Sequence, residues 1–246
     1  MLYSSSSFRC EAPERSFLLS ALLGASPETT IVTAGIGGFK STVAQLLVCT
    51  IGGAPTNKQS IGYRGLFSSL VWLGEGATAV YEYGDKQKSI LLYPYGDDGD
   101  NHMEYGGEES PIAVSYLTNM GDVLLSKNVS LSKQRIAEID SVFHEFIGLV
   151  STHKYSTKEL REQLNVVVPS AMTHATYMLA LTQSIMTSDI VVGDYVSPGL
   201  DRVHFNRTMK FAQELALVQK TKLIFFFPRH YMDWLDICSP RIVPLD

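Results

Sequence analysis

Hydrophobic and polar positions follow two periodicities along this chain. Short continuous apolar or β-branched runs occur at Glu28 to Thr33, Ile190 to Val192 and Lys222 to Phe227, bounded by Gly, Asp or Pro. Runs of this length with no polar alternation predict strands buried on both faces, as in a parallel sheet covered by helices. Apolar residues recur at spacings of three and four over Val43 to Cys49, Ser130 to Val150, Ser156 to Leu164, Pro169 to Met186 and Arg202 to Val218, and these predict helices. Between the first strand–helix pair and the later helices, Tyr63 to Tyr95 is rich in aromatic and β-branched residues. It is punctuated by Gly74-Glu75-Gly76 and Gly84-Asp85, which predicts antiparallel strands. Residues 1–28 read as an irregular or short-strand lead-in containing the apolar segment Phe17 to Leu23. Gly96 to Ser110 gathers Gly, Asp, Glu and Asn and reads as an exposed, disordered loop.

The expected fold class is α/β. A core sheet with helices on both faces is drawn from residues 28–62 and 165–246, joined by an antiparallel β-subdomain over 63–95 and a small helical lobe over 115–164. A chain of 246 residues can bury such a core as one large domain with a lobe, over 1–246.

The chemistry begins where the first buried run ends. Ala34-Gly35-Ile36-Gly37-Gly38-Phe39-Lys40-Ser41-Thr42 lies between a strand and a helix, the place of a phosphate-binding loop of form GxxxxGK[ST]. Backbone N–H groups of such a loop cradle phosphates, the Lys neutralises their charge, and the hydroxyl holds Mg²⁺. Lys40, Ser41 and Thr42 fit. Ala34 and Phe39 replace the framing glycines, while Gly35, Gly37 and Gly38 keep the loop permissive of close backbone approach. The complementary feature is Ile190-Val191-Val192-Gly193-Asp194, a buried run ending in a carboxylate suited to organising Mg²⁺. Each feature also has a structural reading: a glycine turn between strand and helix needs no nucleotide, and Asp201 before Arg202 is a good helix N-cap. Ser170 likewise suits a helix cap, His174 a structural position on a helix face, and Phe225-Phe226-Phe227 a core strand.

Composition narrows the class. Hydrophobic content of 45%, charged content of 18% and a net charge of −5 describe a globular protein without a general affinity for nucleic acid. A local basic face remains compatible with that charge. No run reaches the about 18 apolar residues of a membrane span, so no membrane insertion is expected. Met1-Leu2-Tyr3 and the serines after it lack the basic and apolar regions of a secretory signal. Cys10, Cys49 and Cys238 follow no disulfide or metal spacing, and a cytoplasmic location is expected. The Asn128-Val129-Ser130 sequon is then idle.

Taken in order, these features resemble the ATP-binding cassette ATPases. Ala34 to Thr42 is similar to their Walker A loop, and Ser170 to Thr173 stands where the LSGGQ signature opens its helix, keeping only the Ser. Asp194 matches the Walker B Asp, Leu200-Asp201 the D-loop, and Arg229-His230 the switch position. Ser239 to Val243 resembles the short final strand. No Gln is assignable to the Q-loop. Within the superfamily the order from Lys40 through Gly52-Gly53 to Tyr63–Tyr83 is most similar to the heads of recombination and chromosome-organising ATPases, with Leu131 to Leu164 supplying only a short lobe. The resemblance implies ATP and Mg²⁺ as ligands, held by Gly35, Gly37, Gly38, Phe39, Lys40, Ser41, Thr42 and Ser170, with Ser41 and Asp194 at the metal. It implies Asp194, Asp201 and His230 as catalytic-site residues.

Tyr195 stands at the catalytic Glu position, which implies weak or absent hydrolysis. The implied partners are a second copy in a head-to-head dimer or another protein, with DNA as a further candidate. The alternatives are a pseudo-ATPase interaction module and a transporter-type subunit. A degenerate, DNA-end-binding relative from CRISPR adaptation shares only a faint likeness at Phe227-Pro228-Arg229. The partitioning ATPases require a Lys where Gly35 stands.

Overall fold

The computed structural model describes residues 6–12, 15–20, 29–35, 40–52, 77–92, 103–107, 112–118, 123–125, 131–151, 153–163, 170–194, 200–237 and 239–245. Eleven strands among them form two sheets. The core sheet contains β3 (Thr29–Ala34), β7 (Val114–Thr118), β8 (Val123–Leu125), β9 (Ile190–Asp194), β10 (Lys222–Pro228) and β11 (Arg241–Pro244), in the order β11-β3-β10-β9-β7-β8. Its pairings are parallel except for β7 with β8. Every residue of β3 and β10 is buried, which is what their unbroken apolar and β-branched spelling requires.

Alternate residues of these strands feed two separate cores. Val32, Ile190, Val192, Ile224 and Phe226 face α1 (Lys40–Gly52), whereas Ile31, Val191, Phe225 and Phe227 face α2 (Lys133–Val150), α4 (Ser170–Thr187) and α5 (Arg202–Gln219). Helices therefore cover both faces, as the sequence predicts. The short α3 (Thr157–Gln163) is tied to α2 by Arg161 and Thr157, which both engage Asp140. Asp201 caps α5 by accepting from the His204 N–H, and Ser132 caps α2 by accepting from the Arg135 N–H.

The second sheet is antiparallel, in the order β2-β1-β4-β5-β6, and packs over α1. Its central hairpin, β4 (Ala77–Tyr83) and β5 (Lys86–Leu92), turns at Gly84 with φ of 63°, a conformation glycine adopts without strain. The expected antiparallel strands are present over 77–92, while residues 63–76 and 93–95 of the expected β-subdomain lie outside the described residues. The lead-in segment forms the hairpin of β1 (Ser6–Ala12) and β2 (Arg15–Ser20), and β1 pairs with β4 at Phe8–Tyr81.

Two further expectations are corrected. The predicted loop 96–110 contains β6 (Met103–Gly107), paired with β5. Its glycines serve that pairing: a Cβ on Gly106 would meet Ser89 Oγ at 2.7 Å, and Gly107 has φ of +92°. The predicted helical lobe 115–164 begins instead with β7 and β8 of the core sheet, because the Val-Ser-Tyr-Leu-Thr run pairs in parallel with β9.

Candidate functional site

In an open parallel sheet, ligands bind beyond the carboxyl ends of the strands, where helix N-termini and strand-end side chains converge. β3 and β9 end at the same edge, separated only by β10, with Phe226 level with Asp194 and Pro228 level with Ala34. After β3 the chain reaches Gly35, and α1 begins with Lys40. Lys40 is buried, 8% exposed, and its Nζ donates to the Gly35 carbonyl at 2.6 Å, tying the start of α1 to the residue that follows β3. Burial lowers the Lys40 pKa, and the Asp194 carboxylate opposes that fall.

Asp194 carries the converse imbalance. Burial raises its pKa, against the stabilising hydrogen bonds of the Ser41 and Tyr116 hydroxyls and the charge of Lys40. Tyr116 donates to Oδ2 at 2.9 Å, while Oδ1 is buried and accepts no hydrogen bond among the described residues. A buried carboxylate oxygen without a donor is costly, and a cation or a hydrogen-bond donor relieves it. Lys40, Ser41 and the open oxygen of Asp194 therefore suit a metal–nucleotide pair: Lys40 for phosphate charge, Ser41 and Asp194 for Mg²⁺. Thr42 is buried in the first turn of α1.

The remaining sequence-predicted residues are distributed as follows. A Cβ at Gly35 would meet nothing within 4 Å, so the described atoms impose no steric need for glycine there. Gly37, Gly38, Phe39 and Tyr195 lie outside the described residues. Ser170 is the first residue of α4, and its side chain is likewise outside the description. Asp201 binds within its own helix turn: Oδ1 accepts from the His204 N–H at 2.9 Å and Oδ2 pairs with His204 Nδ1 at 2.8 Å. No described hydrogen bond carries it to Asp194. His230 belongs to the 3₁₀ helix Arg229–Trp234, which leaves β10 at the edge where Pro228 pairs with Ala34. Its ring lies 4.6 Å from that of Tyr231, and it too makes no described bond to Lys40, Ser41 or Asp194.

Sequence reasoning missed Tyr116 and Gln45. Tyr116, 2% exposed on β7, sends its hydroxyl to Asp194 across 78 residues of sequence and accepts from Gln45 Nε2 of α1 at 3.4 Å. The available signal was a polar-tipped aromatic inside a short β-branched run, where a buried phenol needs a hydrogen-bond partner.

No protein-family model matches the chain, and no curated protein matches it. Among solved structures, it is similar to an SMC head bound to the C-winged helix domain of ScpA, with TM-score 0.56 and 10% sequence identity over 93% of this chain and 90% of that one. The SMC head domain from Thermotoga maritima matches with TM-score 0.48 and 14% identity, covering 94% of this chain and 92% of that chain. An ATP-binding cassette of an ABC transporter in its ADP conformation matches with TM-score 0.39 and 10% identity over 94% and 85%. At such identities the likeness is one of fold: the chain has an ABC/SMC-type ATPase fold.

Proposed function

We propose that this protein binds Mg²⁺–ATP at the edge formed by Lys40, Ser41 and Asp194, and that binding rather than turnover is its working chemistry. One observation carries the reading. Three side chains from α1 and β9, suited respectively to phosphate, metal and metal, lie at one strand edge, and the carboxylate keeps a buried oxygen without a donor among the described residues. Bound Mg²⁺ would supply charge neutralisation of the phosphates; Lys40 would add a point charge, and Ser41 and Asp194 would fix the metal's position. Tyr195 in place of a carboxylate is the reason for assigning weak or no hydrolysis, because a phenol with an ordinary pKa near ~10 polarises water poorly at neutral pH.

In this reading the nucleotide stabilises a head-to-head dimer, with Asp201 and His230 contributing near its contact, and the dimer holds DNA or a partner protein. The partner-protein arm draws support from the SMC head of the same fold that is bound to a winged-helix domain. A cytoplasmic setting suits the two buried free thiols, Cys10 and Cys49. A second reading, a nucleotide-free interaction module, is favoured by one feature: Lys40 Nζ is engaged by its own loop at Gly35.

Thermal melting separates the two. At a hundredfold excess over Kd, a ligand specific to the folded state stabilises by about 2.7 kcal/mol, raising the melting point of a chain this size by roughly 5–10 °C. Mg²⁺–ATP producing that rise in the wild type and not in Lys40→Ala supports binding. An unchanged melting point at millimolar Mg²⁺–ATP assigns the protein to the second reading.

A further inference from the structure

The hydrogen bonds around Asp194 are directional, and their direction has a chemical consequence. Gln45 Nε2 can only donate, so the Tyr116 oxygen accepts from it. The phenol has one proton, and that proton goes to Asp194 Oδ2 at 2.9 Å. Tyr116 is anchored by burial within the core that packs α1 on the sheet, so the phenol is held in place from three elements: β7, α1 and β9. Parallel pairing sets Tyr116 level with Val192, two residues before Asp194, and the length of the phenol carries its hydroxyl forward to the carboxylate. Oδ2 thereby carries this hydrogen bond, and Oδ1 accepts none among the described residues.

We propose that Tyr116 is a specificity-determining positioning residue: by donating to Oδ2 of Asp194 it weakens that oxygen as a second ligand, disfavours two-oxygen ligation and so biases the site toward Mg²⁺ over Ca²⁺. The inference rests on the reading of Asp194 as a metal-facing carboxylate. Ca²⁺ accepts six to eight oxygen ligands and commonly takes both oxygens of a carboxylate, whereas Mg²⁺ requires a small octahedron and binds carboxylates sparingly. The Tyr116 proton draws on one of the lone pairs of Oδ2, so two-oxygen ligation competes with that bond for the oxygen's electron density, whereas ligation through Oδ1 does not. Gln45 strengthens this bias by orienting the phenol proton toward Oδ2. Tyr116 itself touches neither metal nor nucleotide in this scheme.

The test compares the wild type with Tyr116→Phe, which keeps the ring and removes the hydroxyl, and with Gln45→Leu, which keeps Tyr116 and removes its orienting donor. ATP affinity is measured by calorimetry in Mg²⁺, in Ca²⁺ and in EDTA, and metal affinity without nucleotide by displacement of Mn²⁺ followed by electron paramagnetic resonance. Outer-shell partners of metal ligands typically affect affinity by about 10–100-fold. The expected result is a Mg²⁺/Ca²⁺ preference reduced about tenfold in Tyr116→Phe, with affinity in EDTA unchanged and a smaller shift of the same sign in Gln45→Leu. An unchanged Mg²⁺/Ca²⁺ ratio in folded Tyr116→Phe, or an equal loss in all three conditions, overturns the inference while leaving nucleotide binding intact. If the wild type binds no ATP but Mn²⁺ displacement shows the ratio shifting in Tyr116→Phe, the nucleotide reading fails and the role of Tyr116 stands. No metal binding and no ATP binding overturns both.

Discussion

Gly193 of β9 lies level with Phe225 of β10, and the Phe225 ring fills the space a side chain at 193 would need: a Cβ there would meet ring carbons at 2.4 and 2.6 Å. Phe225 cannot yield easily, because it is fully buried and stacks on Phe227 at 5.6 Å between ring centroids. Gly193 immediately precedes Asp194, so the tolerance of this contact also sets where the carboxylate stands. Gly193→Ala should destabilise the protein by about 1–3 kcal/mol, the usual cost of overpacking a core. Adding Phe225→Leu should recover part of that loss in a double-mutant cycle. Denaturant unfolding of the four proteins measures it; strictly additive losses would contradict the contact.

His174 gives the fold an acid-sensitive point. On α4 it is half-buried, its Nε2 has no hydrogen-bond partner among the described residues, and burial, then the neighbouring His204, lowers its pKa below the ordinary 6.5. His204 in turn is held through Nδ1 by Asp201. The folded protein thus binds fewer protons at His174 than the unfolded chain, so its contribution is complete above pH 6.5 and declines as pH falls below it. Urea unfolding at pH 7, 6 and 5 should show a shallower loss for His174→Leu than for the wild type. Equal slopes would remove His174 from the acid response.

The two described cysteines are chemically silent in the folded state. Burial pushes Cys10 and Cys49 up to about 12, with Glu11 adding to the effect at Cys10. In a Cys238→Ser background, a thiol-specific disulfide reagent at pH 8 should label neither until denaturant is added, and then both. The sign at high pH follows: the unfolded thiols ionise near 9 and the folded ones near 12, so stability falls as pH rises between those values. Rapid labelling of native protein would contradict this burial.

The parts of the fold written locally were legible. β3, β9 and β10 are buried along nearly their whole length, and a strand without a solvent face has an unmistakable apolar spelling. Lys40 and Asp194, singled out by residue type after β3 and at the end of β9, do come within electrostatic reach of each other. What escaped depends on pairing between distant segments. β6 reads as a glycine loop until β5 lies beside it, and the β1–β2 hairpin gains its role only by pairing with β4. Tyr116 meets Asp194 because β7 and β9 are parallel neighbours, a relation no local periodicity encodes. Asp201 shows the opposite outcome: its described contacts are those of a helix cap, the plainer of its two sequence readings.

Calorimetric titration of ATP into the wild type and Lys40→Ala, in Mg²⁺ and in EDTA, tests the central claim most directly. Lys40 is the buried cation of the site and its Nζ has a single described hydrogen-bond acceptor, the Gly35 carbonyl. Saturable binding in Mg²⁺ by the wild type, weakened by about tenfold or more both by Lys40→Ala and by EDTA, is the predicted result, in keeping with loss of a charge-assisted phosphate contact of about 1.5–3 kcal/mol. No heat of binding at millimolar Mg²⁺–ATP, or equal affinity in Lys40→Ala, would contradict it.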